Sequence, residues 1–132
     1  MFLGSESDRL ALRELIDSYG DAVMRNDPES WIDMWTDNAT WIFRDRTITG
    51  RSDILNTWKR AMEGFREVLF MAQPGSVVVD GNRATMVTHT FEHLVLANGT
   101  SKLQAGIYSD EAIKADKWRF VSRQFSPREL KI

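Results

Sequence analysis

The chain of 132 residues contains no cysteine. Disulfides, thiolate metal sites and cysteine nucleophiles are therefore excluded. No apolar run approaches the ~20 residues needed to cross a bilayer as a helix. The opening MFLGSESD lacks the basic stretch and long apolar core of a secretory leader, so a cytoplasmic soluble domain without membrane contact is expected. There is no excess of basic charge: 17 Lys and Arg stand against 19 Asp and Glu, for a net charge of -2, and nucleic acid is not an expected partner. The sequence has no GxSxG nucleophile elbow, no GxGxxG or GxxxxGK[ST] phosphate loop and no HExxH pair. Neither nucleotide cofactors nor a helical zinc site are expected.

With hydrophobic residues at 42% and charged residues at 27%, the chain has the composition of a globular protein. Its length suits one domain over residues 1–132. The pivot is Thr36 to Gly50, which reads as a helix stop, a strand over Ala39–Phe43 and a turn. Before it, a helix is predicted from about Ser7 to Arg25, with Ser5 and Asp8 as a capping pair and Leu12, Leu15, Ile16, Tyr19 and Val23 as its apolar stripe. A short helix from Pro28 to Trp35 follows Asp27, a capping residue. After the pivot, Ser52 caps a third helix reaching about Gly64, with Ile54, Trp58, Ala61, Met62 and Phe65 on its buried side. The period then changes to two. Strands are predicted over Ser76–Asp80, Arg83–Leu96, Lys102–Lys114 and Trp118–Phe125, separated by turns at Asp80-Gly81-Asn82, Asn98-Gly99 and Ala115-Asp116-Lys117. Helices followed by a meander of long strands indicate an α+β fold with one sheet face against the helices.

Five Trp and seven Phe provide material for an aromatic cavity. Trp31, Trp35, Trp41, Phe43, Trp58 and Phe91 either line a pocket for a flat, apolar ligand or simply pack the core. Strand Arg83–Leu96 carries Val87, His89, Phe91, His93 and Val95 on one face and Met86, Thr88, Thr90, Glu92 and Leu94 on the other. The first face is the more apolar and is assigned to the pocket. His89 there is either a proton shuttle or a hydrogen-bonded structural residue, and the same choice applies to His93. The two histidines lie ~13 Å apart along a strand, too far to share an ion whose ligands sit at ~2 Å, so no metal is expected. Tyr19 lies on the buried stripe of helix one, as an oxygen-polarising donor or as a satisfied core tyrosine. Tyr108 is a second candidate of that kind. Asp110 and Glu111 read as surface or network carboxylates, with Arg123 as partner to one of them, and exposed pairs contribute little.

The order Tyr19-x-x-Ala22, Asn26-Asp27, Trp31-x-x-x-Trp35-x-Asp37-Asn38-Ala39-x-Trp41, Gly50-x-x-x-Ile54, Asp80-Gly81-x-x-Ala84, Gly106-x-Tyr108-x-Asp110 and Trp118-x-Phe120-x-x-Arg123 resembles the nuclear transport factor 2-like superfamily, and within it the SnoaL-like group. The resemblance implies a cone-shaped α+β barrel, in which a strongly curved antiparallel or mixed sheet wraps around three helices and encloses an apolar pocket. It also implies a homodimer through the sheet face. Members include ketosteroid isomerases, scytalone dehydratase, polyketide cyclases, epoxide hydrolases and non-catalytic carriers, so fold does not settle function. The acid–base groups of those members are mostly replaced here. Met24 stands where dehydratase-like members carry Asp, and Leu69-Phe70-Met71-Ala72 where they carry a His. Aligned to ketosteroid isomerases, Tyr19 falls on the oxyanion-hole tyrosine, Phe43 on the base, and Ile107 or Tyr108 near the second acid. The expectation is a cofactor-free isomerase, cyclase or dehydratase for a small hydrophobic carbonyl compound, with His89 as acid or base and Tyr19 as donor. The alternative is a non-catalytic ligand-binding or assembly domain.

Overall fold

The computed structural model describes residues 1–129. The chain runs β1 (Phe2–Leu3), α1 (Glu6–Arg25), α2 (Pro28–Asp33), β2 (Trp35–Phe43), β3 (Arg46–Thr49), α3 (Arg51–Glu63), β4 (Phe65–Asp80), β5 (Arg83–Leu96), β6 (Ser101–Lys114) and β7 (Trp118–Arg128). Helix α1 begins where Ser5 accepts the backbone N–H of Asp8 and ends at Asn26 in the left-handed region, which a short polar side chain tolerates. Asp27 caps α2 by accepting from the Ser30 backbone, and Pro28 occupies the first turn, where its missing N–H has no cost.

Several boundaries differ from the sequence reading. Trp35 opens β2 instead of closing α2, and the register shift between Trp35 and Thr40 takes up the Asp37-Asn38 break as an irregularity within one strand. Helix α3 starts at Arg51 from Gly50 with no side-chain cap, so Ser52 does not serve as its cap. Strand β4 begins at Phe65, well before the predicted start at Ser76, because the chain absorbs Pro74 and Gly75 in a register shift between Pro74 and Ser76. Strand β7 continues through Pro127 to Arg128. The edge strand β1 lacks any sequence signal and exists through parallel pairing with Val77 and Val78.

The seven strands lie in the order β1-β4-β5-β6-β7-β2-β3. The β1–β4 and β2–β7 pairs are parallel and the other pairs antiparallel. The sheet is open, with β1 and β3 as its edges. It is nevertheless strongly curled, since α3 touches β2 and β3 at one end of that order and β4 near the other. Neighbouring strands are ~4.8 Å apart, so a flat sheet could not present both ends to one helix. Helix α1 spans the hollow from β4 to β7. The Tyr19 ring on α1 meets Trp35, Phe70, Tyr108 and Phe120, one from each of β2, β4, β6 and β7, at centroid distances of 5.7–6.4 Å. Trp31 of α2 stacks on Trp58 of α3 at 4.6 Å and 10°. Aromatic contacts therefore close the fold from both sides.

The parity of β5 is the reverse of the expectation. Ala84, Met86, Thr88, Thr90 and Leu94 are buried toward the helices, whereas Val87, His89 and Phe91 are exposed on the outer face. The register explains this result: Thr88 stands opposite Tyr108, and Thr90 opposite Gly106 and Ala72, all inward-facing neighbours. Directly opposed residues share a face, so the whole sheet must agree on one parity.

Candidate functional site

Between α1, α3 and the concave face of the sheet lies a cavity of about 270 Å³. Tyr19, Trp58, Val68, Phe70, Leu94 and Tyr108 form its buried floor. Phe43, Arg44, Phe65, Gln104 and Phe125 form a more accessible rim. A larger groove of about 690 Å³ between β3 and α3 is shallow, and Thr47, Asn56, Lys59 and Glu63 there are polar and mostly exposed. The smaller cavity has the apolar enclosure and sparse polar groups of a ligand site.

Its polar groups come from three sources. Glu92 on β5 projects into the cavity, opposite Phe70 on one side and Gln104 on the other. Burial penalises its charged form and lifts its pKa to about 7, while the positive charge of Lys102 opposes the shift. Tyr19 and Tyr108 bring two phenols to the floor with ring centroids 6.1 Å apart. Burial raises both phenol pKa values, Tyr108 well above the ordinary range, and the charge of Arg123 works against each rise. Trp41 contributes an indole Nε1 that is buried without a hydrogen-bond partner among the described residues.

Beneath the phenols sits a wholly buried ion pair. Arg123 Nε donates to Asp110 Oδ1 at 2.8 Å and Nη2 to Oδ2 at 3.0 Å, with both side chains at 0% exposure. The sequence reads Asp110 and Glu111 as surface or network carboxylates with Arg123 as partner to one of them in an exposed pair; the structure pairs Arg123 with Asp110 and buries both. The β6–β7 register sets Asp110 directly opposite Arg123 on the concave face, and the two-point contact offsets part of the cost of burying both charges, though burial still holds the Asp110 carboxyl above its ordinary pKa. Burial disfavours the charge of Arg123, but the Asp110 carboxylate and the phenols outweigh that effect and the guanidinium holds its proton more tightly than usual. Its carbon lies 3.8 Å from the centroid of the Tyr108 ring and 4.3 Å from those of Tyr19 and Phe120.

Of the residues singled out in the sequence, Tyr19, Trp41, Phe43, Trp58 and Tyr108 meet at this cavity. Trp35 is fully buried behind it, packed on Trp31 and Tyr19, and does not line it. His89, Phe91 and His93 lie on the other side of the sheet. His89 stands between Gln73 and Ile107 with its ring against Gly75, Phe91 between Met71 and Ala105, and His93 between Leu69 and Leu103. The β-layer separates His89 from Tyr19, so the two cannot act on one molecule in this chain. Glu92 is not legible as a site residue from β5 alone, because that strand's own hydrophobicity favours the opposite face. The alternation Gly106, Tyr108, Asp110, Ala112 on β6 was the usable signal, since these residues share a parity with Glu92 once the strands pair.

The model of the SnoaL-like domain family matches residues 5–124. A search among curated proteins finds no match. Among solved structures, a scytalone dehydratase candidate from Novosphingobium aromaticivorans superposes with a TM-score of 0.87 at 16% identity, covering 93% of this chain and 85% of that one. A hexachlorocyclohexane dehydrochlorinase, LinA type 2, gives 0.80 at 19% identity, with 95% and 94% covered. A variant of a Mycobacterium tuberculosis protein of unknown function gives 0.80 at 26% identity, covering 92% of this chain and 72% of that one. At such identities the solved structures establish the shared fold and leave the reaction open. The curled sheet over three helices, the enclosed aromatic cavity and the match along nearly the whole chain lead to one conclusion: this protein belongs to the SnoaL-like domain family.

Proposed function

We propose that the protein is a cofactor-free acid–base enzyme for a small hydrophobic carbonyl compound, with Glu92 as the proton-transfer group and Tyr19 and Tyr108 as oxygen-binding donors. The observation that carries this reading is a carboxyl at about pKa 7 projecting into an aromatic cavity that also holds two phenols. Such a group is half ionised near neutral pH and serves equally as base and acid. The Glu92 carboxylate takes the proton from the carbon next to the carbonyl. The electron pair moves to oxygen, and the resulting enolate accepts hydrogen bonds from the two hydroxyls. Collapse of the enolate then accepts the proton back at another carbon, or expels a leaving group that takes it.

The test uses β-tetralone in heavy water, with exchange of its α-protons read by NMR. Wild type is expected to accelerate exchange, and Glu92→Gln to lose on the order of 10²–10⁴-fold, the usual contribution of a positioned acid or base. Equal rates in the two proteins, alongside saturable binding of the ketone, would favour the carrier reading. Met24 and the stretch Leu69-Phe70-Met71-Ala72 support that reading, since the resemblance implies an Asp and a His there in dehydratase-like members.

We also propose a homodimer through the outer face of the sheet. Leu69, Met71, Phe91 and Leu103 are 43–59% exposed there on adjacent strands and form one apolar patch around His93.

A further inference from the structure

We propose that Arg123, clamped by Asp110, is a positioning residue that makes Tyr19 and Tyr108 a paired donor site for a ligand oxyanion of the phenolate or enolate class. The proposal rests on the cavity reading above and deepens it. Three observations carry it. The guanidinium lies over the faces of both phenol rings that reach the cavity floor, at 3.8 and 4.3 Å. The positive charge beside the rings opposes the rise in pKa that burial imposes on both phenols, and so leaves each hydroxyl a stronger donor than burial alone would. The second observation is the clamp. Asp110 engages Nε and Nη2 together and leaves Nη1 buried with no partner among the described residues, so the guanidinium is fixed against the rings. The third is energetic. A wholly buried ion pair is often no more stable than apolar side chains of the same volume, so stability alone does not account for it. An anion on the far side of the phenols would supply the missing reason. Its charge would face, through two polarised hydroxyls, a guanidinium that cannot swing away.

The arrangement also separates this pair from the acid–base group. Glu92 exchanges a proton with carbon, whereas the phenols and Arg123 act on oxygen. The inferred ligand is therefore a ring compound whose oxygen carries negative charge when bound, not a hydrocarbon or a carboxylate recognised at the rim.

The experiment compares para-nitrophenol with nitrobenzene, probes of nearly equal shape that differ in an ionisable oxygen. Binding is read by quenching of the cavity tryptophans, and the charge of bound nitrophenol by its visible absorption, at pH 6, where Glu92 is mostly neutral. In wild type, nitrophenol is expected to bind about 10-fold or more tightly than nitrobenzene, the scale of a charge-assisted hydrogen bond, and as the yellow phenolate. In the double variant Asp110→Leu/Arg123→Met, nitrobenzene affinity should persist while the preference and the yellow colour are lost. Arg123→Lys, which keeps a cation beside Asp110 but presents no planar group to the two rings, should lower the preference several-fold and keeps the test open if the double variant fails to fold. Preference unchanged in the double variant and in Arg123→Lys would overturn the role of Arg123. Failure of wild type to bind either probe would overturn the cavity reading itself.

Discussion

Replacing Glu92 with Gln should remove activity and, above neutral pH, stabilise the fold. The carboxyl moves from an ordinary 4.5 in the unfolded chain to about 7 in the folded protein. A raised acid pKa means that the folded state binds the proton more tightly than the unfolded state. Below pH 4.5 both states are protonated and the group is neutral in effect. As pH rises through the window from 4.5 to about 7, the unfolded chain ionises first and the folded state loses ground. At 1.36 kcal/mol per pH unit, the accumulated penalty approaches about 3 kcal/mol above pH 7. Gln occupies nearly the same volume and carries no charge at any pH. It introduces an amide that needs partners, but that cost does not vary with pH. The informative quantity is therefore the difference in unfolding free energy between variant and wild type, measured by denaturant titration from pH 4 to 8.5. It should climb in favour of the variant by about 3 kcal/mol across the window, corresponding to roughly 10 °C in melting temperature for a chain of this size. A flat difference would show that Glu92 ionises as an ordinary solvated carboxylate and would remove the reasoning behind its catalytic assignment. The expected pattern, stability gained as function is lost, is typical of a strained catalytic group.

The other expectations concern neighbouring parts of the site. Tyr19→Phe and Tyr108→Phe should each lower α-proton exchange by about 10²-fold, the scale for one oxyanion donor, with melting temperatures held near wild type. His89→Ala should leave exchange unchanged, because the sheet lies between that ring and the cavity; a loss of more than a few-fold would contradict the placement. Gly106→Ala should cost about 1–3 kcal/mol by overpacking, since its Cβ would fall within the Phe125 ring that packs on Tyr108 at 5.0 Å; denaturant unfolding reads the loss, and adding Phe125→Ala should recover part of it. Phe91→Asp with Leu103→Asp should give a monomer in sedimentation without altering the tryptophan spectrum of the cavity, whereas an unchanged mass for wild type and variant would remove the proposed dimer contact.

How legible the protein was in its sequence depended on the range of the interactions involved. Helix α1 was readable because Ser5, the stripe from Leu12 to Val23 and Asn26 act within a few residues of one another. The strands from Arg83 onward were readable because turn residues at Gly81 and Gly99 mark their ends. Tyr19, Trp41, Phe43, Trp58 and Tyr108 were found as pocket candidates because large aromatic groups on buried stripes have few places to go. The sequence by itself therefore determined the α+β order, the family and most of the aromatic lining.

Tertiary structure alone decided which face of β5 is inside. A strand's two faces differ only by parity, and His89 and Glu92 are three residues apart on opposite sides of it. The choice is made jointly by β4, β5 and β6, whose small and polar residues Thr88, Thr90, Gly106 and Ala72 must all turn toward the helices together. The same joint parity buried Arg123 against Asp110 and placed the pair beneath two phenols from different elements. The pKa of Glu92 also follows from that choice, because desolvation depends on what surrounds a carboxyl in space, and its neighbours along the chain, His93 and Phe91, face the other way.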